Sequence, residues 1–390
     1  MPETTMNVRI ELRRDAGKVG PNTGPWIRRK QIAKVLGLET PEGLAEVVTR
    51  KGESLGWGLV SPDSSLAVRM LSFGPTPPAV DWLPQRIDAA LQARAVAGFD
   101  AEGTTGYRLI NSEGDGLPGL VVDRYGTDVV VQITTAPMAV RREAIERCLA
   151  ARGYERRHVV LPEAAAKHEG FAPGVYRTHD ADVLAFTEHG LRFETPAPPS
   201  QKTGAYFDQR DNRRLVARLA AARGGALLDV GCHIGGFALH AAAAGVPAVG
   251  VDQSAVALEF AARNATTQDR EATWIAADMF GPLDDEALAG PYGTIVLDPP
   301  KIATNKNNVD RATTAMSRLV GRVASRLSPG GHLVLCSCSH HVGREHLDRV
   351  MATARDRWAR VAMLGPGVDH PVMPGHREGE YLRVGVYQRR

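Results

Sequence analysis

The sequence predicts an α/β protein whose C-terminal part is built on a mostly parallel sheet, preceded by a small β-rich part and an α+β part. Three observations carry this. From about Thr203, short apolar runs alternate with segments of amphipathic helical spacing, the pattern of a parallel sheet covered on both faces. Aspartates recur at or near the ends of those runs, at Asp229, Asp252, Asp278 and Asp298, where doubly wound sheets bind ligands. Two proline-rich stretches, Gly74-Pro75-Thr76-Pro77-Pro78 and Pro196-Ala197-Pro198-Pro199, divide the chain, because proline fixes φ and removes an amide donor.

These divisions give an organisation of 1–75, 76–195 and 196–390. The first part alternates short apolar runs with Gly and Ser and ends in a strand-like run from Leu66 to Phe73. Asp81 to Ala97 has helical periodicity, with Leu83, Ile87, Leu91 and Ala95 on one side. Tyr107–Asn111, Leu120–Arg124 and Val129–Thr134 read as strands, followed by a helix from Met138 to Ala151, a strand at Val159-Val160-Leu161 and a hairpin turning at Glu188-His189-Gly190. In the third part the strands are Leu227–Val230, Ala248–Val251, Ala272–Ala276, Thr294–Leu297 and His332–Cys336. Tyr381–Tyr387 closes the chain as a further strand, open to antiparallel pairing.

Composition bounds the function. In 390 residues, hydrophobic content of 43% and charged content of 23% are ordinary for a globular protein. No apolar stretch approaches the ~20 residues that span a bilayer, and the N-terminus lacks a secretory pattern, so a cytoplasmic protein without membrane association is expected. The four cysteines are too few for a disulfide framework in a chain of this length. The net charge of +3 does not by itself imply a nucleic acid. Its distribution is more telling: Arg9, Arg13, Arg14, Lys18, Arg28, Arg29, Lys30 and Lys34 crowd the first segment. That is either a phosphate footprint or a solvated face.

Asp229-Val230-Gly231-Cys232-His233-Ile234-Gly235-Gly236-Phe237 follows a strand and opens a helix. Its Gly-x-x-x-Gly-Gly spacing differs from the Gly-x-Gly-x-x-Gly that cradles a pyrophosphate, which favours S-adenosylmethionine over a nicotinamide dinucleotide. In that reading Gly231, Gly235 and Phe237 form the cofactor loop. Asp252 and Gln253 receive the ribose, and Asp278 and Met279 receive the adenine.

Asp298-Pro299-Pro300-Lys301 ends the fourth strand, and Leu335-Cys336-Ser337-Cys338-Ser339-His340 ends the fifth. Amino-group methyltransferases usually carry an aromatic after the diproline; here it is Lys301. A thiolate suits covalent addition to an electron-poor ring. Cys338 adding at carbon 6 of a pyrimidine, with Asp298 at the N3 edge, would make carbon 5 nucleophilic. The base must then be unstacked. Cys336, Cys338, His340 and His341 fit no common zinc spacing, so no metal is expected.

With these motifs the chain resembles the bacterial and archaeal 23S ribosomal RNA cytosine-5 methyltransferases that carry an N-terminal PUA domain. The likeness covers nearly the whole chain. It is anchored on Glu113-Gly114-Asp115-Gly116-Leu117-Pro118-Gly119-Leu120, Gln201-Lys202-Thr203-Gly204, Asp208-Gln209-Arg210, Asp298-Pro299-Pro300-Lys301, Ser337-Cys338-Ser339 and Asp369-His370-Pro371. The resemblance implies a PUA domain, a central α+β domain and a Rossmann-like class I methyltransferase domain, often as a homodimer. It implies that ribosomal RNA or a ribosomal particle is the partner, that Phe207, Gln209 and Arg210 approach the cofactor, and that Cys338 is the nucleophile. It also raises Trp26, Arg28, Arg29 and Lys30, with Lys301, as RNA contacts. A segment that in many relatives reads Arg-Gly-Tyr-Lys-Asp is here Arg311-Ala312-Thr313-Thr314-Ala315. Two other readings are a guanine or adenine nitrogen methyltransferase of the same fold and a non-catalytic RNA-binding assembly factor.

Overall fold

The computed structural model of the protein describes residues 8–37, 43–197, 204–303 and 305–390. Pro198, Pro199 and the Gln201-Lys202-Thr203 part of one anchor motif lie outside the described residues. The chain divides into two compact units. The first takes the residues up to Asp100, Gly106–Ala181 and Asp369–Gly379; the second takes Ala101–Thr105, Asp182–Val368 and Glu380–Arg390.

The first unit contains two sheets. Strands β1 (Val8–Leu12), β2 (Trp26–Ile27), β3 (Ile32–Leu36), β4 (Leu44–Val48), β5 (Ser54–Val60) and β6 (Val68–Phe73) form the order β2-β6-β5-β4-β1-β3. Alternation along β1 turns Val8, Ile10 and Leu12 inward, onto Ile27, Val47 and Val68. After α1 (Trp82–Ala97) come β7 (Gly106–Asn111), β8 (Leu120–Tyr125), β9 (Asp128–Ile133), α2 (Ala136–Ala139), α3 (Arg142–Ala150), β10 (Arg156–Leu161), α4 (Glu163–Glu169) and β11 (Gly174–Arg177), with sheet order β11-β10-β9-β8-β7. Strands β9 and β10 are parallel, so a helical crossover is required between them. The helix expected over Met138–Ala151 is split, because Arg141 leaves helical geometry (ψ 4°) and begins a second helix.

Two of the anchor motifs meet here as scaffold. Arg94 pairs with both Asp115 oxygens at 2.7 and 2.8 Å and donates to Asp369 O at 2.7 Å, while the Arg108 amide donates to Asp369 Oδ2 at 2.9 Å. A Cβ at Gly114 would come within 1.8 Å of Pro371 O, so this approach needs glycine.

The second unit opens with a hairpin, β12 (Val183–Glu188) and β13 (Leu191–Pro196). His189 and Gly190 both have positive φ, 49° and 83°, as a tight primed turn demands. There follow α5 (Arg210–Arg223), β14 (Ala226–Val230), α6 (Gly236–Ala243), β15 (Ala248–Asp252), α7 (Ala255–Thr266), β16 (Thr273–Ala276), β17 (Tyr292–Leu297), α8 (Val309–Val323), β18 (Leu327–Ser337), α9 (Arg344–Ala352), β19 (Trp358–Leu364) and β20 (Arg383–Arg389). The sheet order is β16-β15-β14-β17-β18-β20-β19. Neighbours from β16 to β18 are parallel, and β20 is antiparallel to both β18 and β19. Strand β17 is buried at every position, as helices on both faces require. The strand order reverses between β14 and its neighbours β15 and β17, which opens a crevice beyond their carboxyl ends. Among the described residues, no helix is long and apolar enough to cross a membrane.

Candidate active site

A cavity of about 630 Å³ occupies that crevice. Five of the loops around it follow the parallel strands β14 to β18 and bring Gly231, Gln253, Asp278, Asp298 and Cys338 to its lining. Gly231 has φ 87°, and a Cβ there would meet Asp298 O at 2.5 Å and Met279 Cε at 2.8 Å. Gly231→Ala therefore forces both strain and a shift of the Asp298 backbone. A loss of about 1–3 kcal/mol of stability and a clear drop in cofactor affinity are expected, measured by chemical denaturation and by calorimetry.

Asp252 accepts the His233 amide on Oδ2 and the Ser254 amide on Oδ1, each at 2.9 Å. Each oxygen retains a lone pair for a ligand hydroxyl. Asp252, Gln253, Asp278, Met279 and Phe237 all line the cavity, and the Phe280 amide holds Asp278 Oδ1 at 2.9 Å. Asp229 and Gly235 stand behind the wall. Gly235 packs toward Trp274 and Leu239. Asp229 is wholly buried and accepts the Ala238 amide at the start of α6 at 3.1 Å, and its other oxygen has no hydrogen-bond partner. Burial pushes its carboxyl up to about 7; the Ala238 amide opposes this and the neighbouring Asp298 adds to it.

The Asp298 amide donates to Val230 O at 3.0 Å, tying the diproline loop to β14. Gln209 Nε2 donates to Asp298 Oδ2 at 3.1 Å, and Asn212 Nδ2 fixes Gln209 by donating to its Oε1 at 2.8 Å. Of the three residues expected here from the Asp208-Gln209-Arg210 region, only Gln209 reaches the wall. Phe207 is buried edge-on to Phe186 at 5.1 Å, and Arg210 is wholly buried beside Asp211. Tyr206 and Asp208 line the cavity instead, Asp208 accepting from the Tyr381 hydroxyl at 2.7 Å. The i, i+3, i+4 spacing of Gln209, Asn212 and Arg213 at the start of α5 is a sequence signal for this supported wall.

Cys338 is half-buried and lines the cavity with Asp298 and Lys301. Cys336 is fully buried within β18, and burial beside Asp298 pushes its thiol well up, so it stays protonated. Ser339 Oγ donates to Ala303 O at 2.6 Å, joining the cysteine loop to the segment after the diproline.

The basic candidates of the first unit divide. Trp26 Nε1 donates to Glu113 Oε1 at 2.8 Å and its ring meets His376 edge-on. Arg29 donates to the carbonyls of Ser61, Pro62 and Ser64. Both side chains are thus engaged in holding the fold. Arg28 and Lys30 remain exposed, and with Arg13 they border a basic recess.

The sheet order and the ligand crevice define a class I methyltransferase fold. The Methyltransferase small domain family matches residues 208–358, and the PUA-like domain family matches residues 10–73. A ribosomal RNA large subunit methyltransferase of Deinococcus radiodurans is 36% identical over 385 residues, 93% of each chain. The ribosomal RNA large subunit methyltransferase I of Shewanella frigidimarina is 33% identical over 97% of this chain and 98% of its own. Among solved structures, a methyltransferase complexed with SAH superposes with TM-score 0.82 at 16% identity, over 98% of this chain and all of that one. A SAM-dependent methyltransferase from Streptococcus mutans gives 0.80 at 15% over the same shares. The chain belongs to the ribosomal RNA large subunit methyltransferase family.

Proposed function

We propose that the protein methylates carbon 5 of a cytosine in 23S ribosomal RNA, using S-adenosylmethionine and a transient bond to Cys338. The observation that carries the reading is that an accessible thiol, Cys338, borders the same cavity as Asp298, Asp252 and the Gly231 loop. The residues fit the cofactor: Gly231 lets the loop close against Asp298 at the cavity wall, and Asp252 keeps acceptor capacity for ribose hydroxyls.

Bound there, S-adenosylmethionine supplies a methyl group on a cationic sulfonium. The Cys338 thiolate bonds to carbon 6 of the flipped base. Asp298 passes a proton to N3, so the displaced electron pair makes carbon 5 enamine-like. Carbon 5 takes the methyl group, the donor leaving as its neutral thioether, and gives its proton to solvent; the carbon 6–sulfur bond then breaks, returning the thiolate to Cys338 and the N3 proton to Asp298. Lys301, exposed at the rim, and Arg28 and Lys30 on the PUA-like part are suited to RNA phosphates.

RNA bearing 5-fluorocytidine at the target has no carbon 5 proton to lose, so wild-type enzyme should become covalently trapped on it in the presence of donor. Absence of a trapped species at the genuine target would overturn the covalent route.

Asp229 makes cofactor binding sensitive to pH. Its carboxyl titrates at about 7; below that it is neutral, and above it carries a charge that attracts a cationic ligand. Affinity should therefore rise with pH, by roughly tenfold between about pH 6 and 8. Calorimetric titration checks this, and Asp229→Asn should flatten the profile.

A further inference from the structure

The sheet register of the first unit brings together side chains that lie far apart in sequence. Asp128 on β9 pairs with Arg156 on β10. Two residues on, His158 occupies the same face, and its partner across the next ladder is Arg177 on β11. The register stacks Asp128 and His158 on one side of β9 and β10, with His179 beside them in the bend after β11.

The cluster is enclosed. The His158 side chain is 0% exposed, Asp128 10% and His179 18%. His158 Nε2 lies 3.2 Å from Asp128 Oδ1, and His179 Nε2 lies 2.8 Å from the same oxygen. His179 Nε2 has no directed hydrogen bond, however, and His158 Nδ1 has no partner at all. Arg156 Nε holds Asp128 Oδ2 at 3.1 Å, leaving Oδ1 for the histidines. Arg156 and Arg177 are the positive groups facing the cluster.

Imidazole nitrogens and a carboxylate oxygen at roughly 2.0–2.2 Å from Zn²⁺ are about 3.4 Å apart at tetrahedral angles. The three ligand atoms all lie within 4.8 Å of one another, close enough for side-chain adjustment to bring them round one ion. We propose that Asp128, His158 and His179 bind one divalent transition-metal ion, Zn²⁺ in class, which pins β9, β10 and the chain after β11 together, with water as the remaining ligand. Two imidazoles and one carboxylate are a common donor set for zinc with an open position. No sequence spacing marks the site, because the ligands meet only through the fold of β9, β10 and the chain after β11.

Full-length protein stripped with chelator should take up one Co²⁺ per chain, with the visible bands of a tetrahedral nitrogen–oxygen site, and Zn²⁺ should displace it. Zn²⁺ should raise the melting temperature of the wild type, as a ligand specific to the folded state does. Asp128→Asn and His179→Gln should each lose the bound metal and the shift while keeping the metal-free circular dichroism spectrum. Uptake well below one ion per chain would overturn the proposal. So would an intense thiolate-to-cobalt absorption, which puts the ion on cysteine, or undiminished binding in both variants. Should a variant fail to fold, the wild-type stoichiometry and spectrum still decide.

Discussion

Cys338→Ala is expected to reduce kcat by at least ~10³-fold, the scale on which removing a covalent nucleophile acts, while cofactor affinity stays at the wild-type value. Without the thiolate, carbon 5 of cytosine has no route to enamine character, and neither Asp298 nor the cofactor loop replaces it. Cys338→Ser should fall near the alanine variant, because a serine hydroxyl is a far weaker nucleophile at neutral pH. The control is Cys336→Ala. That sulfur is wholly buried in β18 and its thiol is held protonated. Its loss should cost about 1 kcal/mol of stability and leave most of the turnover intact. Single-turnover transfer of labelled methyl groups, with cofactor binding measured separately, separates these cases. Near-normal turnover of Cys338→Ala would sink the covalent mechanism and transfer the fold to a nitrogen-methylating chemistry.

The contrast between the two cysteines shows where sequence reasoning reaches and where it stops. Leu227–Val230 and Thr294–Leu297 were legible because strands covered on both faces are continuously apolar, and all of these positions are buried. Strand order alone places Asp298, after Thr294–Leu297, and Cys338, after His332–Cys336, at the carboxyl ends that face the crevice. Strand β18, by contrast, begins at Leu327 and runs through Pro329-Gly330-Gly331, with an irregular register against β17. Those residue types read as a turn. Strand β19 (Trp358–Leu364) is half-exposed at the sheet edge, so it lacks a buried apolar run. At the site, Phe207 and Arg210 look no different in sequence from Gln209. Only the packing of the 3₁₀ turn over Phe207–Gln209 and the start of α5 turns one toward Asp298 and the other two into the protein.

Arg213→Met is expected to be the most destabilising single change near the cavity. Arg213 donates to both oxygens of Glu188 at 3.1 and 2.8 Å, and the side chains are 8% and 0% exposed. His240, 3.5 Å from Glu188, is pushed down to about 4 by burial and is neutral at pH 7, so it offers no compensating charge. Removing the guanidinium leaves a carboxylate uncompensated in the interior, a change that costs about 3–5 kcal/mol out of the 5–15 kcal/mol typical of a folded protein. The same guanidinium donates to the carbonyls of Ala205 and Tyr206 at 2.9 and 3.1 Å, which fixes Tyr206 in its left-handed conformation at the cavity wall. The two roles come apart in the double variant Arg213→Met with Glu188→Met. With the charge pair replaced by side chains of similar volume, most of the lost stability should return in urea denaturation. Cofactor affinity should stay low, because the Arg213 donors to the Ala205 and Tyr206 carbonyls are gone from the wall. If affinity recovered together with stability, Arg213 would be a purely structural partner of Glu188, and the wall at Tyr206 would owe its shape to other contacts.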